Sequence, residues 1–367
     1  MKLEFDERRA EMLVNTVVDR YQQGIFPYEN KEEFLPQNLV PESIKNDMET
    51  HVRFYFFVCI YMRGGIKSSQ AFSALIRLHT DYPDFFVPAK VGELEHRDVQ
   101  EVLKKYIGWD SKNAATYWLE NAKRLVRTWG GNVLPLVQEI SSYEEAVLLL
   151  ANRKHRDAER GSNDYHEGFV GFQHKMVSMF VYFMDWIGLL MRPFLYPSPA
   201  DFHHYRFFIA TEALVVEMPK KTPIRYDRRI SKVIRAFLVS YLEKGTATPI
   251  EVADALWLYS LRMCGNSPAT STYEDIYQHL GLFPDLTHAT YGDPARITRL
   301  SGYQKTCGIC PIRRDCKHSI PARPYYRKGQ IVLFPRPGRN DDSVVIRSPE
   351  RLLKKKKAVS TEHPKLL

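Results

Sequence analysis

Apolar residues recur at three- and four-residue intervals along most of this chain, the spacing that gathers them on one face of an α-helix. The pattern predicts helices over residues 6–24, 51–62, 68–79, 98–107, 111–129, 143–153, 172–191, 203–216, 229–244 and 250–263. Proline and glycine punctuate them, as at Tyr82-Pro83, Gly130-Gly131 and Tyr196-Pro197-Ser198-Pro199. The polar stretch Asn152–Asp164 reads as a surface loop, and Gly265–Ala295 as an insertion of turns with one short helix. Only after the last cysteine does the period change. Gln330–Phe334 and Ser343–Arg347 are β-branched runs joined by turn residues, which predicts an exposed hairpin. The chain therefore reads as mainly α, without internal repeats, and from about residue 350 as a disordered basic tail.

Composition narrows this picture. With 44% hydrophobic and 13% aromatic residues in 367, the chain can build a sizeable core. No apolar run approaches the roughly 18 residues a membrane span needs, and the charged start, Met1–Arg9, lacks a signal-peptide core. These features point to a cytoplasmic protein (nucleoid-associated) or a nuclear one, with no membrane partner. In such a compartment clustered cysteines are more often metal ligands than disulfides. The formal charge of +9 favours a polyanionic partner, although Lys354–Lys357 supplies four of those charges.

Three groups of residues could carry chemistry. Cys307, Cys310 and Cys316 are spaced C-x2-C-x5-C, with Cys264 upstream across 42 intervening residues. Four thiolates suit a [4Fe–4S] cluster or a zinc ion, and cysteines merely close in sequence would look the same. Gly168-Phe-Val-Gly171-Phe-Gln173-His174-Lys175 is a glycine-containing turn that runs into an apolar helix. Its backbone N–H groups suit a phosphate, and Lys175, among Met176, Val177 and Met179, suits a desolvated amine nucleophile. The plain alternative is a lysine snorkelling from an amphipathic helix. Asp201, in Pro199-Ala-Asp201-Phe-His203-His204-Tyr-Arg206, opens another apolar helix, where an aspartate is ordinarily an N-cap. Of the two adjacent histidines, one is expected to face solvent. Cys59, inside Phe54–Ile60, reads as a small buried hydrophobe.

Taken together, these motifs resemble the helix-hairpin-helix (HhH-GPD) DNA glycosylases, in particular the endonuclease III-like members that carry a [4Fe–4S] loop. Gly171-Phe-Gln-His-Lys175 is similar to the hairpin's G-V-G-x-K, with Gln173 in place of the second glycine. Asp201-x-His203-x-x-Arg206 matches D-x-H-x-x-R without a gap. The C-x2-C-x5-C spacing is the second half of the family's cluster loop, and Asp254–Cys264 resembles the helix ending at its first cysteine. Further likenesses fall in family order: Phe54–Leu78 before Asp81-Tyr-Pro83, Ile107–Ala114, and Trp129-Gly-Gly-Asn-Val-Leu-Pro135. The chain departs from the family in three further respects. The cysteine gap is long, the stretch from Val133 to Gly168 is long, and Lys175 and Asp201 are 26 residues apart.

The resemblance implies a two-lobed helical fold with a C-terminal Fe–S loop and a small β-hairpin extension. It divides the chain into an N-terminal extension (1–50), a helical core (51–250), a cluster segment (251–322) with an insertion at 265–300, the hairpin (323–349) and the tail (350–367). It implies a monomeric DNA glycosylase with AP-lyase activity on duplex DNA with a flipped base. Lys175 would attack C1′ and Asp201 would assist it. DNA contacts would come from Gly168, Gly171, Gln173, His174, Arg206, Arg313, Arg314 and Lys317. Cys264, Cys307, Cys310 and Cys316 would hold the cluster, or zinc. The departures keep two other readings open: an N-glycosidase of a free modified nucleoside or nucleotide, as in queuosine salvage, and a non-catalytic DNA-binding relative.

Overall fold

A computed structural model describes residues 2–62, 68–107, 111–151, 168–217, 224–225, 228–264, 309–315, 324–327 and 330–333. The protein is mainly helical. Strand β1 (Lys2–Phe5) precedes α1 (Glu7–Gln23), α2 (Glu42–Lys45), α3 (Met48–Tyr61), α4 (Ser68–Asp81), α5 (Pro88–Gly92), α6 (His96–Ile107) and α7 (Ser111–Trp129). Next come α8 (Leu134–Gln138), α9 (Tyr143–Leu150), α10 (His174–Trp186) and α11 (Phe202–Ala210). Strands β2 (Leu214–Glu217) and β3 (Ile224–Arg225), helices α12 (Arg228–Leu242) and α13 (Pro249–Tyr259), and strands β4 (Pro324–Arg327) and β5 (Gln330–Leu333) complete the order. Each of the predicted helical segments contains a helix. Among the described residues no helix is long and apolar enough to cross a membrane.

Two compact units divide the chain discontinuously. One comprises Asn30–Pro199 with Thr248–Ile250, the other Met1–Glu29, Ala200–Ala247 and Glu251–Leu367.

The Asn30–Pro199 unit is built around α3, in which every residue from Phe54 to Tyr61 is buried. A helix apolar on all sides belongs in a core, and its rings find partners there. Phe57 stacks on Trp118 at 4.3 Å, Tyr55 on Phe183 at 4.5 Å and Phe56 on Phe172 at 5.4 Å. Such pairs add about 0.5–1.5 kcal/mol each beyond the area they bury. Cys59 is fully buried among them, as its apolar setting predicts. At the start of α3, the Glu49 carboxylate accepts from the Val133 and Leu134 N–H groups at 2.9 and 3.2 Å. It thereby caps α8 and holds the Trp129–Pro135 segment, where Gly131 turns the chain at φ 85°.

In the other unit, α1 buries Ala10, Leu13, Val14, Val17, Val18 and Tyr21, a stripe at the helical period. Asp6 caps its start by accepting from the Arg9 N–H, and Gly24 closes it at φ 64°. Tyr21 donates to Asp254 and Tyr28 to the Ala255 carbonyl, tying the N-terminal segment to α13.

Two expectations about strands need correction. The helix predicted over 203–216 ends at Ala210. Glu212 takes φ 61°, and Leu214–Glu217 forms β2, antiparallel to β1 with Phe5 opposite Leu214. The run Leu214-Val-Val prolongs an apolar pattern that a helix and a strand share. Gln330–Leu333 is a strand as expected, but it is the middle one of the order β3-β5-β4. Its partners are Pro324–Arg327 and Ile224–Arg225. Ser343–Arg347, expected beside it, lies outside the described residues, as do the charged loop, the insertion and the tail.

Candidate functional site

The turn before α10 is fastened from beneath. Buried Asn121 on α7 accepts from the Val170 N–H at 2.6 Å and donates to the Val170 carbonyl at 3.0 Å, pairing with one residue's backbone on both sides. Arg124 donates to the Gly168 carbonyl at 2.7 Å. Phe169 N–H bonds Leu150 O and Phe172 N–H bonds Phe169 O, while both rings are buried. Gly168 and Gly171 take φ 59° and 85°, conformations that residues with a Cβ rarely adopt. Three N–H groups of this turn, those of Phe169, Val170 and Phe172, thus donate inside the protein. Gln173 occupies the N-cap of α10 without a side-chain cap bond, and His174 and Lys175 are its first two residues. Gln173, His174 and Lys175 are each half-buried. Farther along the helix, Asp185 accepts from the Tyr196 hydroxyl at 2.7 Å, a structural tie for the segment that follows.

Asp201 belongs to the other unit and is the N-cap of α11. Its Oδ1 accepts from the His203 N–H at 2.8 Å, and it is 9% exposed. The expectation that one histidine faces solvent is not met: His203 and His204 are 8% and 2% exposed. Each has a local reason. His204, third in the helix, folds back onto the Asp201 cap. His203 lies 3.2 Å from the Ser260 hydroxyl and packs against Trp257. Arg206 is on the same helix, and its side chain lies outside the described residues.

Helix α13 runs into a π-helical turn, Ser260–Cys264. Such turns are frequent at functional sites. At this end two motifs meet. Ser260 touches His203 of the Asp201 segment, and the Tyr259 hydroxyl lies 2.9 Å from Cys310 Sγ. The Cys310 segment is anchored further by Arg9, which donates to the carbonyls of Asp315 and, at 2.6 Å, Thr211. Ile312 is buried, whereas Arg313 and Arg314 are exposed. Cys307, Cys316, Lys317 and the Cys264 side chain lie outside the described residues. Among the described residues no three His, Cys, Asp or Glu side chains gather around a common point. Of the four cysteines, Cys310 is thus the one whose side chain is described, and it lies against Tyr259 near the end of α13.

Compared with known proteins, the chain matches no family model and no curated protein.

Sequence reasoning missed Asn121, Arg124, Tyr259 and Ser260. Asn121 is a polar residue on the buried face of an otherwise amphipathic helix, and that misfit is a readable signal. Tyr259 and Ser260 carry none, because an aromatic and a serine near a helix end are ordinary.

Proposed function

We propose that this chain is a helix-hairpin-helix-type DNA glycosylase with lyase activity, using Lys175 as nucleophile and Asp201 as the assisting carboxylate. The observation that carries the reading is the end of α13. There the segment of the D-x-H-x-x-R motif and the segment of the C-x2-C-x5-C motif contact adjacent residues, Ser260 and Tyr259. His203 and Cys310, 107 positions apart in sequence, contact one helix end, as a common scaffold requires.

In this reading a deprotonated Lys175 forms a bond to C1′ of a nucleotide flipped from the stack, as the bond to the base breaks. Asp201, ionised, stabilises positive charge developing on the sugar. The aminal so formed loses a proton from nitrogen and opens its C1′–O4′ bond, O4′ leaving as the hydroxyl, and the resulting Schiff base permits strand cleavage by β-elimination. Cys264, Cys307, Cys310 and Cys316 would hold a [4Fe–4S] cluster, with zinc as the alternative, whose part is structural: it fixes the segment bearing Arg313, Arg314 and Lys317. Gly168, Gly171, Gln173, His174 and Arg206 complete the proposed DNA contacts. Borohydride reduction in the presence of duplexes carrying an abasic site or single modified bases tests the reading. A covalent protein–DNA adduct is expected, and it should vanish in Lys175→Ala. No adduct with any duplex would remove the lyase assignment.

One observation favours a second reading, an N-glycosidase of a free modified nucleoside or nucleotide. Phe169, Val170 and Phe172 spend their N–H groups inside the protein, which weakens the turn as a phosphate clasp. A titration with duplex DNA separates the two, since the nucleoside enzyme would lack measurable duplex affinity.

A further inference from the structure

His204 departs from what the third position of a helix ordinarily carries. In a capping box that residue is Glu or Gln, reaching back to the cap's N–H. Here an imidazole does so, with Nδ1 at 3.4 Å from the Asp201 nitrogen and 3.4 Å from Asp201 Oδ1. The ring is 2% exposed, and its Nε2 is buried with no hydrogen-bond partner.

The two approaches ask opposite things of Nδ1. Accepting from the cap N–H requires a lone pair there, with the proton on Nε2. Donating to Oδ1 requires the proton on Nδ1. A neutral imidazole offers one donor and one acceptor, so it serves one partner at a time. Either choice leaves Nε2 unsatisfied in a buried place, a cost that Gln or Glu would have avoided. What histidine adds over Glu is a proton to set against the carboxylate. A bond to an ionised acceptor is roughly twice as strong as one between neutral groups, so the carboxylate outbids the backbone N–H.

We propose that His204 is a positioning residue for the Asp201 carboxylate, carrying its proton on Nδ1 and donating it to Oδ1. The proposal rests on the glycosylase reading for its consequence in catalysis. With the His203 N–H already on the same oxygen, a second donor fixes the carboxylate's orientation. The simpler alternative, that His204 only caps the helix, makes a different prediction for glutamate. Glutamate completes a capping box but has no proton to give and repels Asp201, whereas glutamine can both accept and donate.

The test uses the full-length protein with His204→Gln and His204→Glu, read by single-turnover base release on a lesion-containing duplex and by duplex Kd. His204→Gln should stay within about threefold of the parent, and His204→Glu should fall at least about tenfold, both with Kd unchanged. Equal rates in parent, Gln and Glu variants would overturn the proposal. Ring-nitrogen NMR of the parent protein without DNA gives a readout independent of activity and decides where both variants are slow. A proton on Nδ1 of His204 supports the proposal, and one on Nε2 overturns it. Should no duplex release a base, the glycosylase reading fails, while the NMR result still decides the position of the proton.

Discussion

At the scale of single residues, buried histidines are the most informative groups, and His51 shows what one costs. Its ring lies 5.0 Å from that of Tyr55, and its Nε2 is buried without a partner. Burial holds its pKa below the ordinary 6.5, helped by Lys45 and opposed by Glu42. His79 is lowered likewise, by burial and then by Arg53. Since the folded state prefers both rings neutral, their contribution to stability is complete above about pH 6.5 and is lost as pH falls below it. Thermal melting of the protein should therefore drop in midpoint between pH 7 and pH 5. His51→Phe should raise stability by about 1 kcal/mol at pH 7, by removing the orphaned nitrogen, and should blunt the acid sensitivity. An unchanged pH dependence in His51→Phe would exclude this account. Neither burial was legible in the sequence: His51 opens an apolar helix much as His203 and His204 do. Polarity argued for solvent at one of the last two, and the fold uses both rings in local contacts instead.

At the scale of elements, the sequence located the helices well because each one buries a stripe set by its own period. α1 is the clearest example, its apolar stripe lying within the predicted 6–24. Strands fared worse because their partners are distant. Nothing near Lys2–Phe5 announces a mate at Leu214–Glu217, and β5 takes its neighbours from Ile224–Arg225 and Pro324–Arg327. The turn ahead of α10 was legible as a glycine turn, but its fastening was not, since Asn121 is 49 positions from Val170. That fastening can be tested. Asn121→Ala removes two hydrogen bonds to a backbone that stays buried, and should cost about 2–3 kcal/mol. Amide hydrogen exchange should speed up most at Val170 and the first turn of α10. If protection there were unchanged, the turn would be held by its phenylalanines rather than by Asn121.

At the scale of the whole molecule, charge is the property most exposed to test. Of the formal +9, residues 350–367 contribute a net four, and Arg313 and Arg314 add two exposed cations beside Cys310. If a polyanion is the partner, these two groups do different work. A run of lysines attracts any phosphate backbone, and its contribution is mostly counterion release. In that regime log K falls with log salt at a slope of about 0.9 per phosphate neutralised. Removing residues 350–367 should flatten the salt dependence of duplex binding by up to about 3–4 in that slope, lowering affinity for all sequences and lesions alike. Replacing Arg313 and Arg314 together by Gln should change the slope by no more than about 2, yet reduce base release more than the tail's removal does. Their place beside Cys310, anchored through Tyr259 and Arg9, ties them to a fixed segment. A slope unchanged by either alteration would mean that the positive balance is solvated surface, and would count against nucleic acid as the partner.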